Sequence, residues 1–421
     1  MAGLEDENFF TSRTLTADPY PYYDELRRRC PIRREPHHNV MMVTGYEEAR
    51  AIYQNAEQFS SCTAVTGPFP GFPVPLEGDD ISALIERHRD EIPFSDQLPT
   101  FDPPKHTVQR GLLLRLLTPR RLSENEDAMW RLADRQLEEV LPHGRCEFIS
   151  EFAGPFAMLV IADLLGVPEE DHNEFRRNLG RTRGFGSTRG DVLSHTPLDF
   201  LYERITTYIK QRRDSPREDV LTKLAHATYK DGSLPEIQDV VRLAANLFAA
   251  GQETTVRLLA AAVQMLAEDA HLQEKLREHR SEIPNFIEEM LRFESPIKGD
   301  FRLARVAATV GSLEIPAGAT VMLLNGAANR DPRKFTAPEQ FRPDRENARE
   351  HLAFGHGIHY CPGASLARAE GRVSVNRVLD RMMQIRISEK EHGPPDARRF
   401  RYLPTYILRG TRHLHIEFAL A

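Results

Sequence analysis

From Pro119 to about Lys230 apolar residues recur at helical spacing, as in MWRLADRQLEEVL, and predict a succession of amphipathic helices. The stretch from Leu234 to Asp269, LPEIQDVVRLAANLFAAGQETTVRLLAAAVQMLAED, runs far past the ~11–12 residues of an average helix. Pro235 sits where helices begin, and few charges interrupt the middle, so this helix is expected through the centre of the molecule. The N-terminal part, DPYPYYDELRRRCPIRREPHHNVMMVTGYEEARAIYQ, reads as a helix, a short strand over Val40 to Val43, and a second helix. After Pro296 the period changes. FRLARVAATVGSLEIPAGATVMLL alternates like strands around an IPAG turn, and the C-terminal YILRGTRHLHIEFAL reads as a final hairpin. The Pro/Gly-rich stretch TGPFPGFPVPLEGDD, Thr66 to Asp80, carries Phe69, Phe72, Val74 and Leu76, which suit a loop closing over something apolar better than a linker. The expected fold class is mainly α with a small β-sheet region.

Composition narrows the classes. With 421 residues, 40% hydrophobic and 28% charged, the chain can bury a large core. Its net charge of −7 argues against nucleic acid, which calls for concentrated positive charge. Cys30, Cys62, Cys146 and Cys361 lack pair spacing, so neither a disulfide framework nor a structural zinc site is suggested, and a reducing compartment is expected. The acidic MAGLEDENFFTSR start has no apolar core. The most apolar run, FAMLVIADLLGV, is broken by Asp163 and is shorter than the ~20 residues of a membrane helix. The reading is a soluble, cytoplasmic protein with no membrane partner.

Candidate chemistry concentrates in FGHGIHYCPGASLAR, Phe354 to Arg368. His356, His359 and Cys361 read as metal ligands in their own right, or Cys361 reads as the single thiolate of a larger cofactor, or as a buried structural cysteine in a Gly-rich turn. A zinc site needs three or four ligands, and no matching second cluster exists. Pro362 fits the first position of a helix, which would set Cys361 at unpaired backbone N–H groups and the positive end of a helix dipole, lowering the thiol pKa. Gly355, Gly357 and Gly363 would let backbone approach a flat object. That is the environment of a thiolate ligand beneath a porphyrin.

The loop resembles the haem-binding segment F-x-x-G-x-x-x-C-x-G of the cytochrome P-450 superfamily of haem-thiolate monooxygenases, and the resemblance runs over essentially the whole chain, as one domain over 1–421. AAGQETT resembles the oxygen-binding signature of the long central helix, EEMLR the E-x-x-R pair Glu289 and Arg292, FRPDR the segment bringing Arg345 to that pair, and DPPKHTVQR the early helix bearing His106 and Arg110. The resemblance implies haem b with Cys361 as its axial metal ligand. It also implies cofactor contacts from His106, Arg110, Ala250, Arg302, Phe354, Gly355, His359 and Gly363, and a structural network of Glu289, Arg292 and Arg345. Thr254 alone would read as a hydroxyl bonding back to a carbonyl. Gly251, three residues earlier, suggests a local opening of the helix, and Glu253 adds a carboxylate, so Glu253 and Thr254 are the catalytic pair of a proton path. Helical spacing puts Asn246 and Ala250 on the face of Thr254 with Ala249 beside them. The resemblance adds Ile297, Lys298, Thr405 and Tyr406 to a mainly apolar substrate site for a terpenoid, steroid-like or fatty-acid compound, with Lys298 meeting a substrate carboxylate or pairing with Asp300. O2 and electrons from NAD(P)H, through a ferredoxin reductase and a 2Fe-2S ferredoxin, complete the expected cycle in a monomer of the soluble bacterial type. Arg368, Arg372 and Arg377 offer a basic docking face for the ferredoxin. A peroxide-driven peroxygenase and a non-catalytic haem protein are the alternatives, and the Glu253–Thr254 pair argues against the first.

Overall fold

The long apolar stretch forms one helix, Ile237–Glu268, and the helices Gly154–Leu165, Thr196–Asp214 and Ala364–Arg381 pack against it. The structure is a computed structural model that describes residues 7–115, 117–179, 196–229 and 231–421. Pro235 lies just outside the central helix, whose N-cap is Glu236. Asp269 ends it and at once caps the next helix, Ala270–Glu278, by accepting a hydrogen bond from Leu272 N at 3.0 Å. The central helix continues unbroken through Gly251, so the expected opening does not occur. The glycine is there for packing: a Cβ at Gly251 would lie 2.6 Å from Ile161 Cδ1 on the Gly154–Leu165 helix.

Upstream, the helix Pro119–Val140 starts with proline at its first position, capped by Thr118, whose Oγ1 accepts from Arg121 N at 3.3 Å. Phe148, Phe152 and Phe156 then stack in series, with centroids 5.1 and 5.5 Å apart, inside the main core. Burying each such ring is worth roughly 1.5–3 kcal/mol.

The alternating segment after Pro296 supplies the strands Asp300–Ala304, Ala308–Val310, Leu313–Ile315 and Thr320–Leu323. Two of them enter a five-stranded sheet in the order Ile32–Arg34, Met41–Val43, Thr320–Leu323, Asp300–Ala304, Phe59–Ser60. Only the pairing of Met41–Val43 with Thr320–Leu323 is parallel. Arg302 lies opposite Val321 and is thereby fixed in the sheet interior. The C-terminus departs from expectation. His415–Leu420 forms no local hairpin but joins Arg145–Glu147 and Met382–Ile387 in a three-stranded sheet. Arg145–Glu147, inside the region read as helical, is a strand because its partner arrives from the far end of the chain. The 66–80 loop folds onto the protein, with Phe69 5.5 Å from Phe10 and 5.9 Å from Tyr406, and Phe72 and Leu76 packed against Cys62, Ile81 and Ile85. Among the described residues, no helix is long and apolar enough to cross a membrane.

Candidate functional site

The Cys361 loop is closed by its own backbone: Cys361 N donates to Phe354 O at 2.9 Å. Gly355 and Gly357 hold φ of +67° and +68°, a conformation that glycine adopts without penalty. At Gly357 a side chain is excluded outright, since its Cβ would stand 2.3 Å from Tyr53 O. This glycine admits the protein's own backbone, not a flat ligand. Gly363 is different: its Cβ position lies 3.9 Å from Cys361 Sγ. Arg368 spreads its guanidinium 4.7 Å over the Phe354 ring.

The helix after the cysteine begins at Ala364, so Pro362 sits in the preceding turn and not at the first helical position. The expected lowering of the thiol pKa is overturned as well. Burial pushes the Cys361 thiol up, outweighing the Gly363 N–H and the Arg110 guanidinium, which act to lower it. In the polypeptide alone desolvation beats the turn geometry, and a positive centre at the sulfur would be needed to hold a thiolate.

Beside the loop lies a concentration of imidazole and guanidinium groups, of which His106 and Arg302 are buried. His106, on the helix Lys105–Leu114, is 2% exposed, and its ring is 4.1 Å from that of His359. Neither ring nitrogen of His106, nor Nε2 of His359, has a hydrogen-bond partner. Arg110 donates to Tyr360 O, and Arg302 donates to Phe301 O at 2.6 Å while lying 5.3 Å over the Tyr53 ring. Burial first, then the Arg110 charge, holds His106 down at about 4. Burial and Arg302 hold His359 down at about 2. Among the described residues none of these four groups pairs with a carboxylate. Two guanidiniums and two imidazoles, with both nitrogens of His106 and Nε2 of His359 unpartnered, fit a ligand bearing carboxylates of its own, and a haem carries two propionates.

On the central helix, most residues from Val240 to Phe248 and from Thr255 to Val263 are buried, whereas Ala249 to Thr254 are uncovered, Ala250 most of all. Asn246, one turn earlier, has a buried Nδ2 without a partner. Thr254 Oγ1 donates back to Ala250 O at 2.8 Å, and Glu253 pairs with Arg257 at 2.6 Å. The same helix touches both the Lys105–Leu114 helix and the helix that follows Cys361.

Glu289, Arg292 and Arg345 come together as a fully buried triad. Arg292 meets the two oxygens of Glu289 at 2.7 Å each, and Arg345 Nε reaches both at 3.1 Å. Arg292 also donates to Asn329 O at 2.9 Å, and Asn329 Oδ1 accepts from Leu352 N at 2.6 Å, so the triad is linked to the start of the cysteine loop. A second brace went unnoticed in the sequence. Glu288 accepts from Arg368 Nε at 2.6 Å and Nη2 at 3.0 Å, and lies 3.1 Å from His351 Nε2. Tyr53, bonded to Asp300 at 2.5 Å and to Asn325 at 2.8 Å, closes the other side. The only trace of Glu288 in the sequence is the doublet EE; which glutamate meets which arginine is a matter of helix rotation.

Burial alone would raise the Glu288 carboxyl, but the bonds to His351 and Arg368 outweigh it and hold it at about 2, against an ordinary 4.5. A depressed acid contributes stability that is present above 4.5 and lost as the pH falls toward 2, about 3 kcal/mol in all. Glu288→Gln should therefore lower the unfolding midpoint at neutral pH and flatten its fall between pH 4.5 and 2, which thermal unfolding across that window measures.

Two expectations are corrected here. Arg368, Arg372 and Arg377 do not form a free basic face: they pair with Glu288, with Glu126 at 2.7 Å, and with Asp134 at 3.1 Å and Asp380 at 3.2 Å. Among the described residues Lys298 pairs with no carboxylate; its Nζ donates to Thr405 O at 2.8 Å in a buried position where desolvation pushes it down to about 7. Tyr406 points into an aromatic cluster, 5.1 Å from Phe10 and 6.2 Å from Phe301. Thr405 Oγ1 accepts from Ile407 N at 3.0 Å and Leu408 N at 3.1 Å, and Ile297 bridges Leu408. Ile297, Lys298 and Thr405 are thus brought together, and Tyr406 packs 5.9 Å from Phe69 of the 66–80 loop. The metal-ligand alternative also falls. His356 Nε2 turns to Gln54 at 3.1 Å, and no group of three or more His, Cys, Asp or Glu among the described residues is placed to hold a metal ion.

A cysteine loop under a long central helix, flanked by imidazoles and guanidiniums that have no carboxylate partner among the described residues, defines a haem-thiolate architecture. The family description "Cytochrome P450", hereafter P-450, matches residues 193–399. The chain is 32% identical over 397 residues to cytochrome P-450 144 of Mycobacterium tuberculosis, covering 92% of this chain and 88% of that one. It superposes with a TM-score of 0.94, at 55% identity and 100% coverage of both chains, on the substrate-free form of Mycobacterium marinum cytochrome P-450 CYP150A6. Bacillus megaterium CYP109E1, solved in complex with corticosterone, matches with a TM-score of 0.80 at 26% identity, over 96% of this chain and 99% of that one. The chain belongs to the cytochrome P-450 family and is a monooxygenase of that class.

Proposed function

We propose that the chain binds haem b, with Cys361 as the residue that would ligate it, and inserts one O2-derived oxygen atom into a hydrophobic small molecule, with electrons from NAD(P)H through a ferredoxin reductase and a 2Fe-2S ferredoxin. The observation that carries this reading is the set of His106, His359, Arg110 and Arg302, four polar groups beside the Cys361 loop that have no carboxylate partner among the described residues. When bound, the haem supplies the oxygen-activating chemistry, for which thiolate ligation is suited. Cys361 would give up its proton to hold the group, Gly363 leaves the sulfur clear, and Phe354 and Gly355 hold the loop. The imidazoles of His106 and His359 and the guanidiniums of Arg110 and Arg302 would take its carboxylates.

On the distal side Thr254 would release Ala250 O and order a water, and Glu253 would link that water to solvent. The small side chains of Ala249 and Ala250 would leave room for a substrate, and Asn246 Nδ2, buried without a partner, would be a donor for one of its oxygens. Ile297 and Thr405 line the site, while Lys298 and Tyr406 shape it from behind, through the Thr405 carbonyl and the aromatic cluster. The corticosterone bound to CYP109E1 supports a substrate of terpenoid, steroid-like or fatty-acid character. With Arg368, Arg372 and Arg377 neutralised by acids, ferredoxin docking rests on other residues of the face bearing the Cys361 loop.

A ligand screen for the low-spin to high-spin shift tests the substrate class: apolar compounds with one or two oxygens should give the shift, and a preference for small, highly polar ligands would defeat it. Thr254→Ala tests the proton path. NAD(P)H oxidation should continue while product per NAD(P)H falls and hydrogen peroxide rises. Full coupling retained in that variant would remove Thr254 from its role.

A further inference from the structure

Asp102 opens the DPPKHTVQR segment and joins four stretches of chain through one buried carboxylate, 4% exposed. Its Oδ2 accepts from Ser60 Oγ at 2.5 Å, Arg89 Nη2 at 2.7 Å and Arg305 Nη2 at 2.6 Å. Its Oδ1 accepts from Ser61 N at 2.8 Å. The side chains of Arg89 and Arg305 are only 11% and 12% exposed. Among the described residues their other acid is Glu86, 58% exposed, which stands 2.7 Å from Arg89 but 3.8 Å from Arg305. One buried carboxylate therefore carries most of the compensation for two sequestered cations, and removing it strands both. The same residue stands where the imidazole and guanidinium set begins. Asp102 O accepts from His106 N at 2.9 Å, at the start of the Lys105–Leu114 helix that bears His106 and Arg110. The Asp102 charge acts on the His106 ring. Ser60 pairs with Leu303 in the strand Asp300–Ala304, which bears Arg302 and runs on into Arg305. His106, Arg110 and Arg302 thus lie on elements that Asp102 ties together.

We infer that Asp102 is the positioning residue for the carboxylate-binding set. It fixes the start of the His106 helix and keeps Arg89 and Arg305 engaged, so that a ligand's carboxylates are left to His106, His359, Arg110 and Arg302. The inference rests on the reading of that set as the seat of the haem carboxylates. It has an electrostatic signature that a plain structural brace lacks. Loss of the acid frees two positive charges beside the corner, and a more positive field favours the reduced form of a bound iron. Loss of either arginine does the reverse, because Asp102 is then left with negative charge to spare.

The test uses the substrate-free holoenzyme and the variants Asp102→Asn, Arg305→Gln and their double. It reads the reduction potential of the haem, the rate of haem release to excess apomyoglobin, and the urea unfolding midpoint. Asp102→Asn keeps the size of the side chain and removes its charge, so the potential should rise and haem release should quicken severalfold. Arg305→Gln should lower the potential. The double variant should return the potential toward the parent, and its loss of unfolding midpoint should fall short of the sum of the single losses, as two members of one contact require. A brace without electrostatic reach would move both single variants the same way in potential, or neither. Either of those results, or parent haem release in Asp102→Asn, would overturn the inference. If Asp102→Asn does not fold, Arg305→Gln and Arg89→Gln decide alone: both should lower the potential, and an unchanged or raised value in both sinks the idea. A parent chain that takes up no haem would defeat the proposed function itself. Haem bound with flat potentials leaves that function standing and removes only the role of Asp102.

Discussion

Replacing Cys361 with alanine is expected to abolish turnover and the red-shifted absorption of the reduced carbon monoxide complex, and to leave the chain folded. The substitution removes one sulfur from a turn closed by backbone, Cys361 N to Phe354 O, which alanine retains. Neither Cys62 nor Cys146 stands in for it. Cys62 is buried and pushed up to about 11 by desolvation, and burial pushes Cys146 still further, so both are inert packing groups. The orphaned donors at His106 and His359 remain in the variant, so weak retention of haem is compatible with complete loss of activity. Circular dichroism and the reduced carbon monoxide spectrum, taken on one preparation, check both halves. Survival of the red-shifted band would show that the ligand is another residue.

The second large effect is on stability. Glu289→Ala should cost about 3–5 kcal/mol, the range for leaving buried charge uncompensated. Two guanidiniums lose their common acid at once, in a place where Glu289 and Arg292 are 0% and Arg345 3% exposed. Against a total of roughly 5–15 kcal/mol for a folded chain, that loss removes a large share of the margin. Arg292→Lys should cost less but still be severe. A lysine has one head group, whereas Arg292 bonds both Glu289 oxygens and the carbonyls of Asn329, Pro338 and Gln340. Because Asn329 passes the brace on to Leu352 N, haem retention should fall along with the urea midpoint. A Glu289→Ala midpoint equal to that of the parent would mean that the triad stabilises nothing.

The triad was legible in the sequence because E-x-x-R sets its first two members on one helical face and the family pattern supplies the third. The Glu288 brace was not legible. Glu288 and Glu289 are neighbours that differ only in direction, one toward Arg292 and Arg345, the other toward His351 and Arg368. Helix rotation against its neighbours decides that, and no single-helix pattern contains it. The same limit misled the reading of Arg368, Arg372 and Arg377. Three arginines on one helix look like a charged face until the acids of two other helices are docked against them. Gly251 was noticed for the right reason, its cost inside a helix, and given the wrong one, because the group that requires it is Ile161 on another helix.

What the sequence determined by itself is whatever local periodicity and motif spacing encode: the long central helix, the strands after Pro296, the Cys361 loop, and the pairing of Glu289 with Arg292. Each follows from contacts within a few residues, where the 3.6-residue or two-residue repeat fixes which side chains share a face. Only the tertiary structure decided the rest. It made Arg145–Glu147 a strand by bringing His415–Leu420 to it, sent Lys298 to the Thr405 carbonyl, and joined Glu253 through Arg257 to Thr411. It also reversed the expected shift at Cys361, because the desolvation of a thiol depends on everything packed around it and not on the turn it occupies.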